Sequence, residues 1–109
     1  MSNMTHYSGH VGANPAKVFK STLFRTERLM LGLNCLYPGQ EQHAHVHGGQ
    51  DKFYFVVEGT GEFVVGEERR TVGEGTVVWA PADVSHGVVN TGSDRLVLLV
   101  GIAPFPGSS

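Results

Sequence analysis

Histidines are the residues of this chain whose type and spacing point most directly to chemistry. His43, His45 and His47 alternate with single residues, and His86 follows much later in the chain. Neutral imidazole is the commonest protein ligand for zinc, iron, nickel and copper. Because ligands from two distant segments are needed to enclose an ion, the sequence predicts a metal centre wherever these segments meet.

Strand geometry limits which histidines can share an ion. On an extended strand, His43, His45 and His47 lie on one face, with neighbours about 6.6 Å apart and the outer two about 13 Å apart at Cα. The outer two therefore cannot reach one metal without a bend, and two pairs stay open: 43 with 45, or 45 with 47. The alternative is a set of surface histidines without a metal. A second source of imidazole at His86 favours the metal site.

The segments around these histidines alternate in the manner of β-strands. Residues 28–37 and 95–102 are rich in apolar side chains, residues 52–57 are aromatic and β-branched, and glycine and proline punctuate the intervals. No long segment carries a helical stripe with caps. Short strands at such spacing predict an all-β sandwich or closed barrel. We expect an arm over residues 1–16 and one domain over residues 17–109.

Composition excludes several classes of partner. The 109 residues carry a formal net charge of −2, and Arg69-Arg70 is the only basic doublet. Nucleic acid and anionic membranes require a basic surface, so neither is the expected partner. No apolar run approaches the length of a membrane span, and the first residues lack the pattern of a secretory signal. With a single cysteine, the expected location is the cytoplasm.

Two stretches, residues 39–59 and 75–90, resemble the two signature motifs of the cupin superfamily. The first motif is matched by Gly39, His45, His47 and Gly59. The second is matched by Gly75, Pro81, His86 and Asn90, with Asp83 where the family has a second glycine. The resemblance implies a single-domain jelly-roll β-barrel with a metal at one mouth. It also implies that His45, His47 and His86 are the ligands and that His43 is only a neighbour.

One position departs from the family pattern. The fourth family ligand is a glutamate seven residues before Gly59, and this chain has Lys52 there. An ammonium group has no lone pair and repels a cation. The site is therefore either three histidines plus water or substrate, or a weakened site. Asp51 is the alternative fourth ligand if a bulge turns it inward.

Lys52 itself has two interpretations. It is either a cation at the cavity mouth, pairing with a substrate carboxylate or with Glu41, or a strand-edge lysine that extends to solvent. We favour the inward placement, because Lys52, Tyr54 and Val56 keep the register that the family uses.

The functional expectation is a small metal-binding cupin that binds or transforms a small polar metabolite at a three-histidine centre. The divalent ion is iron, zinc, nickel, manganese or copper, which the sequence does not distinguish. The rivals are a non-enzymatic ligand-binding or sensing cupin and a cupin with a vestigial metal site. The resemblance allows dioxygenase, isomerase and lyase chemistry, and no general base stands out. We also expect a homodimer, with residues 18–19 and 23–24 of the N-terminal segment covering a strand edge across a two-fold axis.

Overall fold

A computed structural model describes residues 2–46 and 48–104. This part of the chain contains one short 3₁₀ helix and nine strands, so the all-β prediction is confirmed. The elements are the 3₁₀ helix (Tyr7–Gly9), β1 (Phe19–Arg25), β2 (Met30–Leu36), β3 (Glu41–His45), β4 (Asp51–Glu58), β5 (Gly61–Val65), β6 (Glu68–Val72), β7 (Val77–Ala80), β8 (His86–Val89) and β9 (Leu96–Ala103). No helix in the described residues is long and apolar enough to cross a membrane.

The strands form two antiparallel sheets. The five-stranded sheet has the order β1-β2-β9-β4-β7, and the four-stranded sheet has the order β3-β8-β5-β6. Both sheets contribute buried side chains to one core, so they pack face to face as the predicted jelly roll. Its fully or almost fully buried members are Leu36, Tyr54, Val56, Phe63, Ala80, Val88, Leu96, Leu98 and Val100.

The glycine positions of the two motifs lie in turns between strands. Gly39, Gly59 and Gly75 each have a φ of 87°, a left-handed conformation that favours glycine. Asp83, which stands where the family has glycine, has a φ of 67°. Aspartate is one of the few other residues that adopt this conformation readily, so the substitution leaves the turn before β8 in the same conformational region.

The N-terminal arm packs on the outer face of the five-stranded sheet. Tyr7 and Val11 contact a second buried cluster formed by Leu33, Cys35 and Val97. The Tyr7 hydroxyl donates a 2.6 Å hydrogen bond to Glu58. The arm is therefore bound to the domain that it precedes.

The segments expected to pair across a two-fold axis are used within the chain. Phe19 and Leu23 pack against the same outer cluster, and β1 pairs with β2. These contacts do not test the expected homodimer, which stays a prediction for light scattering to check. β1 is nevertheless the edge strand of the five-stranded sheet.

Candidate metal centre

One histidine from each motif meets its counterpart across the four-stranded sheet. His45 at the end of β3 and His86 at the start of β8 are direct antiparallel partners. Their ring centroids are 4.8 Å apart, with a tilt of 51° between the ring planes. His86 is 1% exposed, whereas His45 is half-buried nearer the surface. The sheet thus brings together two of the three predicted ligands.

Both rings are held through Nδ1 by backbone carbonyl groups. His45 Nδ1 lies 2.8 Å from the oxygen of His43, and His86 Nδ1 lies 3.1 Å from that of Val84. A carbonyl oxygen only accepts hydrogen bonds, so Nδ1 carries the proton in each ring. In the neutral imidazole the lone pair is then on Nε2. This is the arrangement that orients metal-binding histidines.

The surroundings of His86 favour its neutral form. Burial lowers the pKa of His86, and the nearby charges of Lys52 and His45 lower it further, against the opposing effect of the bond to Val84. Desolvation penalises the imidazolium ion, and neighbouring positive charge does the same. Because only the neutral ring can donate a lone pair, these effects favour the protonation state that binds metal.

His43 lies apart from this pair. Strand alternation predicted that His43 and His45 share a face, and that prediction is wrong because the β3–β8 register shifts between Gln42 and His45. The His43 side chain is 85% exposed, with its Nδ1 3.4 Å from a Glu41 carboxylate oxygen. The family resemblance, which excluded His43 as a ligand, agrees with this position.

The irregularity in β3 depends on a glycine in the neighbouring strand. A Cβ atom at Gly87 would lie 2.7 Å from the carbonyl oxygen of Gln42 and 2.8 Å from the amide nitrogen of Ala44. Such contacts are too close for any side chain unless the backbone moves. Gly87 therefore lets β3 pass close to β8 just before His45, which sets the position of the His45 ring against His86.

The third predicted ligand, His47, lies outside the described residues. Among residues 2–46 and 48–104, no group of three or more histidine, cysteine, aspartate or glutamate side chains could hold a metal ion. The described residues therefore contain two of the three predicted ligands, His45 and His86, and the assignment of all three histidines stays a prediction.

Lys52 points into the protein, as its register in β4 predicted. It is 6% exposed and shares the buried face of β4 with Tyr54 and Val56. Its Nζ lies 4.8 Å from the centroid of the Tyr54 ring. Burial lowers the pKa of Lys52 to about 8, and the charge of Lys20 contributes in the same direction. A group with that pKa is still mainly protonated at neutral pH.

Asp51 faces the other way. The residue is exposed, and its Oδ1 accepts a 3.0 Å hydrogen bond from the backbone nitrogen of Ala82. The carboxylate therefore holds the loop that follows β7. The alternative in which Asp51 turns inward as a fourth ligand does not occur in this structure. The expected ion pair between Lys52 and Glu41 is also not among those of the described residues. The Glu41 carboxylate lies beside His43 instead.

Tyr54 and Lys20 are neighbours of the site that the sequence did not single out. The sequence placed Tyr54 in register with Lys52 without assigning it to the site, and its ring lies 6.3 Å from that of His86 as well as beneath Lys52. Period-two alternation from Lys52 could have found it, since both residues lie on one face. Lys20 is on β1, and no local pattern relates it to Lys52.

Asn90, the last residue of the second motif, forms hydrogen bonds with the backbone of three other residues. It is 1% exposed, and its Nδ2 donates 2.9 Å hydrogen bonds to the carbonyl oxygens of Leu36 and Asp94. Its Oδ1 accepts a 2.9 Å hydrogen bond from the amide of Gly92. Asn90 thus closes the loop after β8 and ties it to the end of β2.

Replacing Asn90 by alanine should lower the free energy of unfolding by about 2–4 kcal/mol, because one buried and two partly buried hydrogen bonds lose their partner. Urea denaturation measures this change. Asn3→Ala is the matched control, since Asn3 is exposed, and it should change stability by less than about 0.5 kcal/mol. Equal stability of the Asn90 and Asn3 variants would contradict the structural part assigned to Asn90.

This chain was compared with protein families, with curated proteins and with solved structures. The cupin domain model matches residues 32–102. An uncharacterized protein from Streptomyces coelicolor is 36% identical over 80 residues, which cover 73% of this chain and 75% of that protein. The structure of the TT1209 protein from Thermus thermophilus is similar with a TM-score of 0.92 and 38% identity, covering 96% of this chain and 100% of that one.

A second solved structure extends the likeness over the whole chain. KdgF from Halomonas sp. has a TM-score of 0.82 and 21% identity, and each chain is covered completely. At this identity the likeness concerns the fold alone.

Proposed function

This chain belongs to the cupin family, and from that premise we propose that it binds one divalent transition metal ion and holds a small polar metabolite there. The proposed ligands are His45, His47 and His86. The observation that supports it best is the cross-strand pair of His45 and His86, in which a backbone carbonyl holds Nδ1 of each ring. That arrangement directs the lone pair to Nε2 in both.

The side chains around the proposed centre have different roles. The two described histidines present ring nitrogens, and burial both favours the neutral form of His86 by lowering its pKa and excludes water from one side of the site. Lys52 replaces the carboxylate that the family uses as a fourth ligand. With three protein ligands, positions on the ion stay open to a metabolite, as in catalytic metal sites. When bound, the ion would supply a Lewis acid for a carbonyl or enolate oxygen.

A second candidate is a cupin whose metal site is vestigial. The observation that favours it is the buried ammonium of Lys52, whose charge already acts on His86 and would repel a cation. Such a protein would bind an organic ligand without a metal. The two candidates therefore differ in metal content, which can be measured directly.

The test is a metal titration of the 109-residue chain after treatment with a chelator. Iron(II), zinc, nickel, manganese and copper are each added in competition with a chromogenic chelator, and elemental analysis follows gel filtration. We expect one tightly bound equivalent of at least one metal. Stoichiometry near zero for all five would overturn the proposal in favour of the vestigial site. Incubation of the loaded protein with keto acids, sugars and catechols then separates an enzyme from a binding protein.

The remaining expectations concern the partner and location. We keep a small molecule as the partner, with no nucleic acid or membrane, since net charge is −2. Cys35 is free and buried, which agrees with the expected cytoplasmic location. Cell fractionation that recovers the protein elsewhere would contradict that expectation.

A further inference from the structure

Lys52 is a buried cation without a counter-ion in the part of the chain that the structure describes. Only 6% of the residue is exposed, and none of the observed ion pairs includes it. Its one described partner is the face of the Tyr54 ring, 4.8 Å from Nζ. A charge is rarely buried unless an opposite charge or several hydrogen bonds compensate it. The buried charge of Lys52 therefore costs free energy of folding unless a bound ligand supplies the opposite charge.

The groups that face Lys52 give the site a positive rather than a neutral character. His86 lies close enough for the lysine charge to act on it, and Lys20 on β1 adds a second ammonium nearby. The closest carboxylate in sequence, Asp51, is turned outward to the Ala82 amide. Any metal bound by the histidines would add further positive charge.

The hydroxyl group of Tyr54 is a second hydrogen-bond donor that lacks an acceptor among the described residues. Its hydroxyl is buried, and no described residue makes a hydrogen bond with it. Burial raises the pKa of Tyr54, so the hydroxyl keeps its proton. An ammonium and a phenol that both lack acceptors are complementary to a ligand with acidic oxygen atoms.

We propose that Lys52, held over the Tyr54 ring, is the anion-binding group of this site, and that the metabolite is a small carboxylate whose carboxyl group pairs with Nζ. This inference rests on the proposed function for the position of the ligand beside the histidines. It does not require the metal, because the pair between Nζ and a carboxylate forms without one. It also assigns a use to the residue that departs from the family pattern.

A carboxylate suits this site better than a phosphate. Phosphate sites commonly use several backbone amides of a glycine-rich loop or helix N-terminus, or the fork of an arginine. Here the described donors are one buried ammonium and one phenol, on a strand. Two acceptor oxygens of a carboxyl group match that number of donors.

The experiment is a calorimetric and NMR titration of the metal-free full chain with pyruvate, oxalate and malonate at pH 7. Pyruvamide and inorganic phosphate are the comparison ligands. Lys52→Met keeps a long apolar side chain and removes the charge. Lys17→Met is the matched control, because Lys17 is exposed. We expect saturable binding of at least one carboxylate, weakened at least tenfold by Lys52→Met and unchanged by Lys17→Met.

Stability gives a second readout on the same variants. Without ligand, Lys52→Met should raise the melting temperature by a few degrees, since it replaces a buried uncompensated charge by an apolar group. Wild-type protein should gain stability when the carboxylate is added, and Lys52→Met should not. A destabilised or unfolded Lys52→Met would contradict the inference, because the lysine would then have structural partners.

The outcomes separate this inference from the proposed function. Metal binding with no carboxylate binding, or with equal carboxylate binding by wild type and Lys52→Met, overturns the anion site alone. Lys52-dependent binding of phosphate or pyruvamide in place of the carboxylates also overturns it. Lys52-dependent carboxylate binding in a protein that takes up no metal supports the anion site and overturns the proposed metal function.

Discussion

Replacing His86 by alanine should reduce the bound metal to background. His86 is the most deeply buried of the described histidines, at 1% exposure, and its ring lies 4.8 Å from that of His45. A site with three protein ligands rarely keeps its ion after losing one, because the remaining two hold it with too little affinity. Elemental analysis of the purified variant after gel filtration measures the effect.

His43→Ala is the matched control for this experiment. It removes the same type of side chain from the strand that carries His45, at a position where the side chain is 85% exposed. Its metal content should equal that of the wild type. His86→Gln, which fills more of the buried space, guards against loss of metal through unfolding, and circular dichroism checks the fold of both variants. A full equivalent of metal in folded His86→Ala or His86→Gln would refute the assignment.

Lys52→Glu should tighten divalent metal binding by an order of magnitude or more. The variant removes a buried positive charge that already acts on His86 and adds a carboxylate at the position of the family glutamate. Both changes favour a cation, the first by ending a repulsion and the second by adding an oxygen ligand. Competition with a chromogenic chelator gives the ratio of dissociation constants.

A three-member series separates these two effects. Lys52→Met should fall between the wild type and Lys52→Glu, because it ends the repulsion without adding a ligand. Lys17→Glu, at an exposed position, makes the same change of charge and should alter the affinity by less than about threefold, since exposed charges are well screened. Unaltered affinity in Lys52→Glu would mean that this side chain does not face the ion, contrary to its burial on the inner face of β4.

Local patterns predicted the elements in which neighbouring residues decide the conformation. The alternation of β4 predicted that Lys52 points inward and Asp51 outward, and both predictions are confirmed. Motif glycines predicted the turns after β2, β4 and β6, where the backbone has positive φ. In each case the information lies in the segment itself.

The wrong and missing predictions concern positions whose conformation or surroundings depend on residues far away in the sequence. The β3 alternation fails at His43 because the close approach to Gly87, far along the chain, permits an irregular register. The N-terminal arm packs on its own sheet through the hydrogen bond from Tyr7 to Glu58, two residues that no local pattern relates. The charge of Lys20 on β1 likewise contributes to the lowered pKa of Lys52 on β4, although the two residues are far apart in the sequence.

The most direct test of the three-histidine centre is anomalous diffraction from crystals of the metal-loaded protein. Data are collected above and below the absorption edge of the metal that elemental analysis identifies. The account predicts one anomalous peak, about 2.0–2.2 Å from a ring nitrogen of each of His45, His47 and His86, with Lys52 Nζ outside the coordination sphere. A peak at other residues, or coordination by Lys52 or Asp51 in place of one of these histidines, would contradict it.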